Sequence, residues 1–163
     1  MKKISRRKFV ASSGAVVSVA AAGACMCTKT GRATITGVGS TPDINPEAYT
    51  IADDGLRIDM DKEPRLKIIG NAVKILDEKL KVPLIIVQET QGAYIAVSIK
   101  CTHRGVEVEY KSDDKCFKCA SLGGSKFKTD GEKIKGFANG PLKSFPASLE
   151  GNILKIDMTG KEN

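Results

Sequence analysis

The sequence predicts an all-β protein, on three observations. Short apolar runs rich in Val and Ile recur along residues 47–158, glycine-containing turns separate them, and no stretch carries a helical apolar stripe. With 163 residues, 41% of them hydrophobic, the chain is long enough for one domain with a proper core and too short for two comfortable ones.

The strands follow in order. Tyr49-Thr50-Ile51 and Leu56-Arg57-Ile58-Asp59-Met60 alternate apolar and polar residues, with Gly55 between them. Leu66-Lys67-Ile68-Ile69 predicts a further strand ended by Gly70-Asn71, and Ala72-Val73-Lys74-Ile75-Leu76 the next. A turn falls near Asp77-Glu78-Lys79. Val82-Pro83-Leu84-Ile85-Ile86-Val87 and Tyr94-Ile95-Ala96-Val97-Ser98-Ile99 form a hairpin through Thr90-Gln91-Gly92. Lys126-Phe127-Lys128 and Lys133-Ile134-Lys135 flank Asp130-Gly131, a second hairpin turn, and residues 149–156 make a last one around Gly151-Asn152. No internal repeat is visible.

The two ends of the chain differ in kind. Residues 1–28 read as a twin-arginine export signal or membrane anchor: Ser5-Arg6-Arg7-Lys8-Phe9-Val10 is followed by an uncharged run to Thr28. Ala22-Gly23-Ala24 suits cleavage, Cys25 makes a poor lipidation site because Ala22 stands where Leu is usual, and an uncleaved run of roughly 20 apolar residues would span a bilayer once. All three outcomes place the body beyond the cytoplasmic membrane, in a periplasmic or anchored position. Cys25 and Cys27 belong to this segment. Residues 29–46, rich in Gly, Thr, Ser and Pro, read as a flexible tether.

Charge narrows the partners. The formal net charge is +7, from 26 basic and 19 acidic residues, but Lys2, Lys3, Arg6, Arg7 and Lys8 precede every acid. Without these five the balance is 21 against 19, so the excess belongs to targeting and no nucleic-acid partner is expected. His103 is the sole histidine, and it already sits among cysteines, so no Ser-His-acid set can be assembled. Gly123-Gly124 lacks the Lys-Ser/Thr of a phosphate-binding loop. An independent catalyst is not expected.

The chemistry lies between Lys100 and Phe127. Cys101-Thr102-His103-Arg104-Gly105 is followed by Cys116-Phe117-Lys118-Cys119-Ala120-Ser121-Leu122-Gly123-Gly124-Ser125. Thiolates and an imidazole in this density suit an iron–sulfur cluster or zinc. Cys116 and Cys119 have the Cys-x-x-Cys spacing with which two sulfurs reach one metal. In an oxidising compartment Cys116 and Cys119, or Cys101 with either, would instead form a disulfide.

These residues resemble the Rieske family, whose fingerprint is Cys-x-His, a gap of fifteen to seventeen residues, and Cys-x-x-His before Gly-Ser. Cys101 and His103 match the first half, and fifteen residues separate His103 from Cys119. Phe127 stands at an aromatic position often held by Tyr, and Gly140-Pro141-Leu142 resembles the proline loop that covers the cluster. The resemblance implies an antiparallel β-sandwich with a small cluster-binding subdomain over residues 47–158. It implies a 2Fe–2S cluster on Cys101, His103 and Cys119, and electron exchange with a cytochrome or oxidoreductase subunit, as in quinol–cytochrome reductases or periplasmic oxidases.

The sequence departs from the family at Leu122, where the second histidine is expected, and by one inserted glycine. Val106 and Ser121 stand where some members hold a disulfide. The fourth ligand would be Cys116, water or a partner's side chain. The competing expectation is a cluster-free domain serving as a structural or docking subunit.

Overall fold

The structure, a computed structural model, describes residues 40–160. The signal segment expected over residues 1–28, with Cys25 and Cys27, and the first part of the tether lie outside them. Twelve strands build three four-stranded antiparallel sheets among the described residues.

The first sheet has the order β1-β2-β12-β11, from β1 (Tyr49–Ala52), β2 (Gly55–Asp59), β11 (Ala147–Glu150) and β12 (Ile153–Asp157). The second has the order β10-β5-β4-β3, from β3 (Ala72–Ile75), β4 (Leu84–Thr90), β5 (Ala93–Ser98) and β10 (Ser144–Phe145). The third is a meander in chain order: β6 (Val108–Lys111), β7 (Cys116–Cys119), β8 (Lys126–Lys128) and β9 (Lys133–Lys135).

The second sheet is covered on both faces, which explains its continuous apolar run. Leu84 and Ile86 of β4 point into a core shared with Leu56, Ile58, Leu154 and Ile156 of the first sheet. Ile85 and Val87 point the other way, into a second core with Val108, Phe117 and Phe127 of the third. Successive side chains of a strand face opposite sides, so one tetrapeptide supplies both cores. The architecture is therefore all-β and antiparallel, a sandwich carrying a small third sheet, as the sequence predicts.

Two expectations need correction. Residues 66–69 do not form a strand: Pro64–Lys67 is a short 3-10 helix. Pro64 fixes φ and lacks an amide hydrogen for a ladder, and the turn closes as Leu66 N–H donates to the Glu63 carbonyl at 3.1 Å. Leu66 is buried while Ile68 and Ile69 face solvent. The described end of the 29–46 segment, in turn, is docked. Ile44 N–H donates to the Lys74 carbonyl and Lys74 N–H to the Pro42 carbonyl, both at 2.9 Å, so the chain runs beside β3 with Thr41 and Ile44 buried.

Candidate metal centre

Three loops meet at the end of the third sheet. The first runs from Cys101 to Val106 as a tight turn: Cys101 N–H donates to the Val106 carbonyl and Gly105 N–H to the Cys101 carbonyl, both at 2.8 Å. The second leaves β7 at Cys119 and returns at Ser125, where Cys119 N–H donates to the Ser125 carbonyl at 2.8 Å. The third spans residues 136–142. Thr102 joins it to the first, its Oγ1 donating to the Gly140 carbonyl at 2.9 Å, and Asn139 Nδ2 donates back to the Thr102 carbonyl at 3.0 Å.

Ser125 is the hub of this arrangement. It is 1% exposed, and its Oγ accepts from Ala138 N–H at 3.1 Å, tying the third loop to the second. Gly136 lies so close that a β-carbon there would sit 2.5 Å from the Ser125 Cα. Only glycine fits, and its φ of 98° is also one that other residues rarely adopt.

The loops bring Cys101 and Cys119 together. Both are 2% exposed, above a floor of Phe117 and Phe127, which pair across β7 and β8. Burial pushes the Cys101 thiol pKa up, the His103 backbone N–H at its sulfur pulls it down, and the adjoining Cys119 thiol pushes it up again. Cys119 Sγ also lies 3.2 Å from Ser121 Oγ. The Cys101 thiol is thus held neutral beside Cys119 in a dry pocket, and its deprotonation belongs to metal binding.

The remaining expected ligands fare differently. His103 rides at the turn of the first loop, half-buried, its ring centroid 6.0 Å from that of Phe137. Leu122 is fully exposed and carries no donor atom. Cys116, the expected replacement ligand, stands apart from the thiol pair. The Cys-x-x-Cys spacing reaches one metal when it bends in a turn, but here it lies along β7. Three residues of strand span about 10 Å and place the two side chains on opposite faces. Burial pushes the Cys116 thiol pKa up, offset in part by Lys126 on the same face. Among the described residues no three His, Cys, Asp or Glu side chains stand close enough to hold a metal ion.

The donor chemistry therefore fits a 2Fe–2S cluster in part. Cys101 and Cys119 suit the iron that takes two thiolates, and His103 is the one imidazole available to the other iron. The fourth position has no donor from this chain's described residues.

Three features carry no motif in the sequence: the Ser125 hub, the Phe137 ring against His103, and a buried lysine on β3. Lys74 is 4% exposed and stands 3.7 Å from Glu107 and 3.8 Å from Asp43. Lysine inside the apolar run Ala72-Val73-Lys74-Ile75-Leu76 was the signal for the last.

The family model for the Rieske [2Fe-2S] domain matches residues 60–146. The cytochrome b6-f complex iron-sulfur subunit of Chlorobaculum thiosulfatiphilum is 36% identical over 93 residues, which are 54% of this chain and 51% of that protein. The chain thus spans about half the length of that curated relative. Among solved structures, the cyanobacterial plasma membrane Rieske protein PetC3 from Synechocystis PCC 6803 is 28% identical with a TM-score of 0.47, covering 53% of this chain and 85% of that one. The ferredoxin of carbazole 1,9a-dioxygenase from Nocardioides aromaticivorans IC177 is 13% identical with a TM-score of 0.46, covering 55% and 86%.

Proposed function

The chain belongs to the Rieske [2Fe-2S] domain family, and from that premise we propose that it is an electron-transfer protein or subunit of an exported or membrane-associated oxidoreductase. The observation that carries this reading is the apposition of Cys101 and Cys119, buried on two loops that Ser125 and Thr102 fasten to a third.

A bound 2Fe–2S cluster would supply one-electron chemistry at this place. The chain's own residues do the rest. Cys101 and Cys119 would hold the cluster, Phe117 and Phe127 keep the floor dry, and residues 136–142 cover the first loop. His103 is the single candidate ligand at the outer side. Its position against the exposed Phe137 supports an outer edge near the surface, within reach of a partner.

The relative's name supports a cytochrome complex as the setting, quinol–cytochrome reductase-like or a periplasmic oxidase's small subunit. The twin-arginine pattern over residues 1–28 supports export, with the segment cleaved, lipidated at Cys25 or kept as an anchor. No helix among the described residues is long and apolar enough to cross a membrane.

Leu122 and the displaced Cys116 favour a second reading, in which the domain has lost its metal and serves as a docking subunit. One experiment separates the two. Protein produced natively in cells that load iron–sulfur clusters should contain about two iron and two sulfide per chain. It should also give an electron paramagnetic resonance signal when reduced. Colourless protein without iron or sulfide would leave the docking reading standing and end the electron-carrier one.

A further inference from the structure

Charge is divided unevenly over the described residues. Residues 100–145 carry ten basic and six acidic side chains, against eight and twelve over residues 40–99 and 146–160 together. The third sheet concentrates the excess on one face. Its other face is the apolar floor, where Phe117 pairs with Phe127. One residue along, the register sets Lys118 opposite Lys126 and Lys126 opposite Lys135. Directly paired residues share a face, so Lys118 and Lys126 form one rung across β7 and β8, and Lys135 of β9 extends it by pairing with Lys126 where the β8–β9 register shifts.

Such a rung costs stability, because like charges directly opposite repel. Lys126 is relieved by Asp114 at 3.1 Å, whereas Lys118, with Glu109 as its cross-strand neighbour, and Lys135 close no ion pair among the described residues, and both are exposed. Solubility alone is served as well by mixed signs. The rung also lies one residue from Cys119, on the same strand as a thiol of the candidate centre.

We propose that the outer face of the third sheet, centred on Lys118, Lys126 and Lys135, docks the acidic face of an electron-transfer protein. The inference deepens the function proposed above and rests on it for the partner's class. Charge complementarity selects a protein over a lipid surface or nucleic acid. Glu109 opposes Lys118 in the same rung, and Asp114 reaches Lys126 from the neighbouring turn. Glu109 is paired with Lys111 and Asp114 with Lys126, so these carboxylates interrupt the positive face, and a protein offering both signs in register matches it better than a uniformly anionic surface. Four short strands offer a small area, which fits a transient redox encounter.

The test uses purified full-length chain with an acidic c-type cytochrome as probe, and a basic one and phosphatidylglycerol vesicles as controls. The expected result is binding of the acidic cytochrome alone, weaker in about 200 mM than in about 50 mM salt. Reversing the rung (Lys118→Glu, Lys126→Glu, Lys135→Glu) should weaken it by about tenfold or more. Reversing Lys62, Lys79 and Lys81, the same charge change on the sandwich, should leave it within about twofold. A rung of Lys→Gln, gentler on folding, should fall between the two.

No binding, equal loss from both reversals, or preference for vesicles would overturn the docking face. Iron is assayed on the same samples. Iron-free protein that docks therefore refutes the carrier reading alone, and iron-loaded protein that fails to dock refutes this proposal alone.

Discussion

Gly136 and Ser125 are where single atoms decide the site. Gly136→Ala places a β-carbon into the Ser125 backbone and demands a φ that alanine avoids. Neither side can give, so the expected cost is about 2–4 kcal/mol, read from urea unfolding. Ser125→Ala removes the acceptor of Ala138 N–H, left buried and unpaired, together with the hydroxyl that bonds the Cys101 sulfur, and should cost about 1–3 kcal/mol. The cysteines divide in the same spirit. Cys101→Ser or Cys119→Ser should bring the iron content of natively produced protein to background, and Cys116→Ser should leave it unchanged. A loss of iron from Cys116→Ser would show that β7 bends in the loaded protein and that the extended strand is not its working form.

At the scale of elements, legibility followed how local the cause was. Hairpins at Gln91-Gly92, Asp130-Gly131 and Gly151-Asn152 announce themselves, because turn residues and their flanking runs lie side by side in sequence. Strand β7 did not, since Cys116-Phe117-Lys118-Cys119 is also the spelling of a metal-binding turn. What makes it a strand is cross-strand pairing with Tyr110 and Phe127, which no window of sequence contains. Residues 66–69 failed for the opposite reason: their apolar pattern suits a strand, and one proline upstream overrules it. Cys101 and Cys119 were legible as a pair, but the seam that holds them, through Ser125, Thr102 and Asn139, depends on contacts made only after folding. The floor beneath them is testable as an element. Phe117→Ala or Phe127→Ala empties a fully buried ring and should cost about 3–5 kcal/mol, the loops loosening with it, as seen by faster amide exchange at Cys119 and Gly124.

Across the whole molecule, two carboxylates fasten the N-terminal lead-in to the folded body. Glu63, 1% exposed, accepts from Asn45 N–H at 2.8 Å and from Arg65, whose Nη2 also donates to the Asp43 carbonyl at 2.8 Å. Glu109 accepts from Ser40 N–H at 3.1 Å and Oγ at 3.0 Å. Burial pushes the Glu63 pKa up, but the Arg65 guanidinium and Asn45 N–H outweigh it and hold the carboxyl below its ordinary range. Glu109 is lowered too: burial works against Ser40 and Lys111, and they prevail. A carboxyl whose folded pKa is depressed stabilises the fold above its unfolded pKa, about 4.3 for Glu, and that contribution drains as pH falls through the folded value. Both groups act on the same short segment, so acid should free residues 40–46 before the sandwich opens. Amide exchange at Ile44 and Asn45 should therefore accelerate below about pH 4 while Ile85 and Val97 stay protected. Glu63→Gln should show the fast exchange already at neutral pH, with a loss of about 1.5–3 kcal/mol that no longer grows as Glu63's range is crossed. Simultaneous loss of protection at Ile44 and Ile85 would mean that the lead-in is not a separable unit and that its carboxylates hold the whole body.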